Sequence, residues 1–221
     1  MITNSAASKV LCFGDSNTNG IPSDDEDYAR LAADVRWTGR LQLLLGDGYD
    51  VIEEGLGGRT TDLEYDDRPG CNGRPYFGPC LRTHHPIDVI VIMLGTNDLK
   101  IQFDRAPASI AGALHGYIDD VALNAESRSG GVPGIVLVSP LHLDDGQPRF
   151  AGTTAGAFDG TSVEKSRLLA AEISRVAHAR GVLFADAATV ARAGSDGHHL
   201  SVGSHERLAE LIAGKVRDLV K

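Results

Sequence analysis

Ser16, His199 and Asp196 supply the groups that acyl transfer requires: a hydroxyl to attack a carbonyl, an imidazole to take its proton, and a carboxylate to hold that imidazole in one tautomer. Asp196 and His199 lie three residues apart in Asp196-Gly197-His198-His199. Within one glycine-containing turn the carboxylate can fold back onto the ring, so a single loop delivers both groups. A tetrahedral intermediate also needs hydrogen-bond donors aimed at its oxyanion. Three are candidates: the backbone N–H of Ser16, the backbone N–H of Gly58 and the side-chain amide of Asn97. Gly58 has no Cβ, so its amide can approach a ligand closely. Asn97 donates without adding negative charge where negative charge develops. Asn17 and Thr96, next in sequence to these groups, are the expected substrate contacts.

These residues meet only if the chain alternates strands and helices. Apolar, β-branched runs recur at Val10–Phe13, Val51–Ile52, Ile87–Leu94, Ile135–Val138 and Val182–Ala185. Segments of helical period separate them: Trp37, Leu41, Leu44 and Leu45 form one stripe, Ile110, Leu114, Tyr117 and Val121 a second, and Leu208, Leu211, Ile212, Val216 and Leu219 a third. Another helix is expected to open on a capping box at Thr161-Ser162-Val163-Glu164 and stop at Gly181. The alternation predicts a five-stranded parallel sheet in a three-layer α/β/α sandwich, covered on both faces, which explains why Ile87–Leu94 is almost continuously apolar. One domain spans residues 1–221, with long loops at Ser23–Asp34, Asp62–Pro79 and Leu141–Gly160 that read as lids or contact surfaces. Ligands of such sheets bind beyond the carboxyl ends of the strands. There the sequence places Gly14–Gly20, Gly55–Thr61, Gly95–Asp98 and, past a short helix, Asp196–His199.

Composition removes several classes of function. Thirty acidic against 21 basic side chains give a net charge of -9, the wrong sign for a phosphate backbone or an anionic membrane. The longest apolar run, Val89–Leu94, is far short of the roughly 20 residues that cross a bilayer. The opening MITNSAASKV has no signal-peptide pattern, so the chain as given reads as cytoplasmic. Cys12, Cys71 and Cys80 lack CxxC spacing, although a Cys71–Cys80 bridge stays open. No phosphate-cradling GxxxxGK[ST] or GxGxxG motif is present. Simpler readings stand beside the catalytic one: Ser16 as a helix N-cap, Asn97 as a turn residue, and Gly55 and Gly57 as parts of a tight turn. His84-His85 and the cluster Asp24, Asp25, Glu26 and Asp27 read as solvated, and Arg59 is expected to pair with that cluster or with Asp62. Asp15 is expected to support the turn beside Ser16 through backbone hydrogen bonds. His198, His199 and His205 with Asp196 also invite a metal reading, without an HExxH motif to support it.

Taken in chain order, GDS around Ser16, the glycine block at Gly58, GTND around Asn97 and DGHH ending at His199 resemble the four blocks of the SGNH, or GDSL-like, hydrolases. LCFGDS, DVRWTG, VIEEGL, GRTT and PIDVIVIMLGTNDLK are similar to the branch containing bacterial arylesterases and acyltransferases. The resemblance implies a flavodoxin-like fold, Ser16, Asp196 and His199 as the catalytic residues, and an oxyanion hole from Ser16, Gly58 and Asn97. It implies a serine esterase for short-chain aryl, alkyl or sugar acetates, working through an acyl-enzyme with water or an alcohol as acceptor. No metal or other cofactor, no nucleic acid and no membrane is expected, and the branch implies a homo-oligomer. A metal-dependent hydrolase and a non-catalytic acyl-carbohydrate-binding relative are the rival readings. Family members usually carry Leu after the nucleophile and often an aromatic two residues further on. Asn17 and Asn19 stand there in this chain, so a more polar acyl pocket is expected. His198 stands where relatives usually carry an apolar residue, and His199 is preferred as the base because it keeps the three-residue offset.

Overall fold

The computed structural model describes residues 3–24, 29–153 and 156–220. Five strands, β1 (Ser8–Gly14), β2 (Tyr49–Gly55), β3 (Val89–Met93), β4 (Gly134–Ser139) and β5 (Leu183–Asp186), pair in parallel in the order β2-β1-β3-β4-β5. This is the doubly wound order whose connections reverse direction between β1 and β3, where a crevice opens at the strand ends. The register sets Gly14 level with Gly55 and Met93, so the loops after β1, β2 and β3 start side by side.

Period-two alternation divides the core between the faces. Leu11, Phe13, Ile90, Ile92, Ile135 and Leu137 point to one side, where they are covered by α3 (Gly73–Thr83), α4 (Pro107–Asn124) and α6 (Gly160–Arg180). Val10, Cys12, Val89, Val91, Val136 and Val138 point to the other, beneath α2 (Trp37–Leu45) and α7 (Val202–Leu219). On α4 all four residues of the expected stripe are buried. On α2 Trp37 and Leu41 are buried and Leu45 packs half-buried against the same cluster, but Leu44 is 42% exposed. Phe13 packs edge-on to Phe77 at 4.7 Å and near Tyr117 at 5.9 Å, contacts worth about 0.5–1.5 kcal/mol each beyond their burial.

The loop expected at Asp62–Pro79 runs on into a helix, α3, that contains Pro79. Glycine and proline content argues against helix there, but Phe77, Cys80 and Leu81 are buried at helical spacing, and that packing prevails. Asn72 caps α3 by accepting from the Arg74 N–H at 3.0 Å. The cap of α6 lies two residues earlier than the sequence reading places it. Asp159 accepts from the Ser162 N–H at 3.0 Å, and Ser162 Oγ accepts from the Asp159 N–H at 3.3 Å, so serine takes the place of the usual Glu. Gly181 ends that helix at φ 65°. The Leu141–Gly160 loop holds a short helix, α5 (Phe150–Thr153). Of the acidic cluster, Asp25, Glu26 and Asp27 lie outside the described residues. Cys12, Cys71 and Cys80 are free thiols and buried, so no Cys71–Cys80 bridge forms. None of the described helices is long and apolar enough to cross a membrane.

Candidate active site

Ser16 opens the four-residue helix α1 (Ser16–Asn19) directly after β1. Asp15, not Ser16, is its N-cap: Asp15 Oδ1 accepts from the Asn17 N–H at 2.9 Å, so the serine hydroxyl is left clear of capping. The turn depends on close backbone approach. A Cβ on Gly14 would lie 2.1 Å from Thr18 Oγ1, and one on Gly55 would lie 2.2 Å from the Asn19 nitrogen. Arg59, expected to pair with acidic side chains, is instead buried over the Phe13 ring at 4.1 Å and donates to the Gly14 carbonyl at 2.7 Å and to that of Glu54. It staples the ends of β1 and β2 beneath the site. The partner of Asp62 is Arg105, which also reaches the buried Asp98 at 2.8 Å. His84 is not simply solvated, since its Nε2 lies 2.8 Å from Glu54 Oε1.

The turn before α7 carries the second group. Asp196 Oδ2 lies 2.7 Å from His199 Nδ1, while Oδ1 accepts from the backbone N–H groups of His198 and His199 at 3.0 and 2.9 Å. Gly197 adopts φ 77°, and a Cβ there would strike the Asp144 carbonyl oxygen at 2.3 Å. Burial works to raise the Asp196 carboxyl, but the His199 hydrogen bond, the charges of both histidines and the backbone donor outweigh it. The carboxyl is held below its ordinary range. His198 pairs with the same carboxylate only loosely, its Nδ1 standing 3.6 Å from Asp196 Oδ1. Its Nδ1 lies 3.2 Å from the Asp196 carbonyl, and burial, with the His199 charge, lowers it to about 4. Fixed by Asp196 at Nδ1, the His199 ring keeps Nε2 for proton transfer.

Asn17 joins the two turns. Its Nδ2 donates to the His198 carbonyl at 3.2 Å, its Oδ1 accepts from the Leu200 N–H at 2.8 Å, and its own carbonyl accepts from Trp37 Nε1 at 3.1 Å. Both turns border one cavity of about 450 Å³, walled by Ser16, Gly57, Gly58, Asn97, Phe158, His198 and His199 among others, a volume suited to a small ligand. Ser16 Oγ makes no hydrogen bond to His199 among the described residues, and hydrogen bonds of this kind tighten when substrate binds. Gly58 sits at φ 83°, and its carbonyl accepts from the Tyr65 hydroxyl at 2.9 Å. Asn97 Nδ2 donates one proton to the Arg59 carbonyl at 3.2 Å, leaving its second for the cavity.

The structure thus brings Ser16, Gly58, Asn97 and His199 to one wall with Asp196 behind them. Asn17 and Thr96 are buried and do not line the cavity. Asn19 does not line it either, its Nδ2 being spent on the Gly55 carbonyl at 3.0 Å. The expectation of a pocket made polar by Asn17 and Asn19 is therefore corrected. Sequence reasoning missed Arg68 and Lys100 on the wall and Tyr65 behind Gly58. Their signal was confined to a loop already marked as a lid and to the lysine that follows GTND. Ligand atoms of Asp196, His198 and His199 lie within 4.8 Å of one another. His205 is not in that group: it is buried in α7, and its Nδ1 accepts from the Trp37 N–H at 3.1 Å.

The GDSL-like lipase/acylhydrolase family model matches residues 12–210. The native aryl esterase of M. smegmatis superposes with a TM-score of 0.89 at 37% identity, over 97% of this chain and 100% of that one. Est24, a carbohydrate acetylesterase from Sinorhizobium meliloti, gives 0.87 at 36% identity, over 96% and 99%. An acetylxylan esterase of Xylanibacter ruminicola is 35% identical over 98 residues, 42% of this chain. The curated relatives are longer proteins, of which the matched stretches span 35% and 18%. Family model, fold and full-length structural likeness agree, and the chain belongs to the GDSL-like lipase/acylhydrolase family.

Proposed function

We propose that the protein is a serine esterase acting on short-chain carboxylic esters, the acetates of aryl, alkyl or sugar alcohols, through an acyl-enzyme. One observation carries the reading: the Asp196–His199 pair, closed at 2.7 Å, opens onto the same cavity as Ser16, Gly58 and Asn97. The relatives named aryl esterase and acetylesterase support the choice of substrate class.

In this reading His199 Nε2 takes the Ser16 proton as Oγ bonds to the carbonyl carbon, and the carbonyl π pair moves onto oxygen. The Ser16 and Gly58 N–H groups, neither of which is spent on a backbone carbonyl among the described residues, and the second Asn97 amide proton receive that oxyanion. Collapse breaks the bond to the alcohol, which leaves with the proton from His199. Water, or a second alcohol, then repeats the sequence in reverse, with His199 again accepting its proton. The carboxylate of Asp196, kept ionised by its donors, stabilises the transient imidazolium. Ser16→Ala is expected to lower kcat on a chromogenic acetate by on the order of 10⁴ or more and to abolish labelling by an organophosphonate. Near-normal turnover by a pure Ser16→Ala preparation would refute the assignment, and a chelator-sensitive, organophosphonate-resistant activity would favour a metal mechanism.

A further inference from the structure

The charged side chains on the cavity wall are both cations, Arg68 and Lys100, in a protein of net charge -9. They share one support. Lys100 Nζ donates to the Tyr65 hydroxyl at 3.1 Å and lies 4.9 Å from the ring centroid, while the Arg68 guanidinium stands 5.6 Å from the same ring. Tyr65 in turn holds the Gly58 carbonyl, so both cations are anchored beside a proposed oxyanion donor. The Arg68 guanidinium carbon lies 2.9 Å from where a Gly58 Cβ would stand.

Neither cation has a carboxylate partner within ion-pair distance among the described residues, although Arg30, Arg36, Arg74, Arg105 and Arg180 all do. Lys100 is half-buried, and burial together with the Arg68 charge lowers its pKa. The two like charges beside one ring repel each other, and an anion bound between them in the cavity would relieve that repulsion. Asp15 and Asp67 act on Lys100 only through space. Unpaired cations converging on a concave wall without acids are the electrostatic complement of a negatively charged ligand group.

We infer that Arg68 and Lys100 form an anion subsite that selects esters carrying a carboxylate, on either the alcohol or the acyl side. This rests on the esterase reading of the same cavity. The carboxylate would lie between the guanidinium and the ammonium while the scissile carbonyl faces Ser16. Exposed charge pairs are worth up to about fivefold each, and partly buried ones more, so a preference of about tenfold or more is expected.

The test measures kcat/KM for matched esters, each divided by its uncatalysed hydrolysis rate. For the alcohol side, 4-acetoxybenzoate is compared with 4-acetoxybenzamide; for the acyl side, the phenyl half-ester of succinate with its methyl ester. The natural chain should favour the anionic member of at least one pair about tenfold, and the favoured pair identifies the side. In Arg68→Glu, an exposed position where folding is not at stake, that ratio should fall to unity or below, with Lys100→Met giving a smaller fall. A ratio near unity in the natural chain, or one that Arg68→Glu leaves unchanged because both esters slow equally, overturns the subsite. Failure to turn over any ester, with no organophosphonate labelling of Ser16, would instead overturn the esterase reading.

Discussion

The turn that carries His199 and the rim that carries Arg68 face the same cavity but are held in opposite ways. In the turn, Asp196 alone accepts three hydrogen bonds, and Asn17 adds two more from the neighbouring helix. Nearly every group is buried. Along the rim, residues 66–70 are exposed, and Arg68 is held only by the face of Tyr65, a close approach to Gly58 and one long backbone hydrogen bond from Cys71. Proton transfer tolerates little misplacement, whereas recognition of a charge works at longer range and through a flexible side chain. Under the proposed reading, chemistry falls to the rigid region and selectivity to the loose one.

The largest break in this comparison is Asp196→Asn. The substitution keeps the shape but removes the charge and permits the amide to hold the wrong imidazole tautomer, so kcat should fall by about 10³–10⁴. Single-turnover kinetics on a chromogenic acetate measure it. A loss below tenfold would mean that the turn's order does not serve the histidine. Next comes Asn17→Ala, which leaves the Leu200 N–H and the His198 carbonyl unpaired in a buried place. Each costs about 1–3 kcal/mol. Thermal melting should drop by roughly 5–15 °C for a chain of this size, and kcat should fall as the two turns drift apart. An unchanged melting point would show that the bracket is dispensable.

Much of the site was legible because its chemistry follows strands. Once the five apolar runs are read as one parallel sheet, the residues after β1, β2 and β3 must share an edge, and Ser16, Gly58 and Asn97 do. The Asp196–His199 offset likewise encodes a local turn, which needs no tertiary information. What escaped were matters decided by packing. Helix α3 was hidden by Pro79 and three glycines in the surrounding 70–79 segment, since composition says nothing of the core that Phe77 fills. The role of Asn17 was misjudged because neighbours in sequence to a nucleophile need not point where it points. In α1 its side chain runs to His198 and Leu200 instead of the cavity. Arg68 and Lys100 lie far apart in sequence, and only Tyr65 brings them together.

The smallest expected effect concerns the support beneath the rigid region. His205 Nδ1 accepts from the Trp37 N–H, and Trp37 Nε1 donates to the Asn17 carbonyl, so a buried imidazole helps to position α1. As an acceptor at Nδ1, the ring must be neutral; a proton there would turn it into a second donor facing a donor. Burial, reinforced by Arg40 and His199, lowers its pKa from 6.5 to about 4. Between those values the unfolded chain binds a proton that the folded chain refuses, so stability rises with pH across this window. The contribution is whole above about 6.5 and is lost as pH falls toward 4, amounting to roughly 3 kcal/mol at the acid end. His205→Asn keeps an acceptor near the Trp37 N–H but cannot titrate. Urea midpoints taken from pH 7 to 4.5 should therefore fall less steeply in the variant than in the natural chain. Both proteins share the background of His198, also lowered to about 4 and contributing a slope of the same sign, and of buried Asp15, raised to about 6 and contributing the opposite one, so the difference between the two slopes is the readout. Identical slopes in the two proteins would show that the support beneath Asn17 does not sense pH through His205.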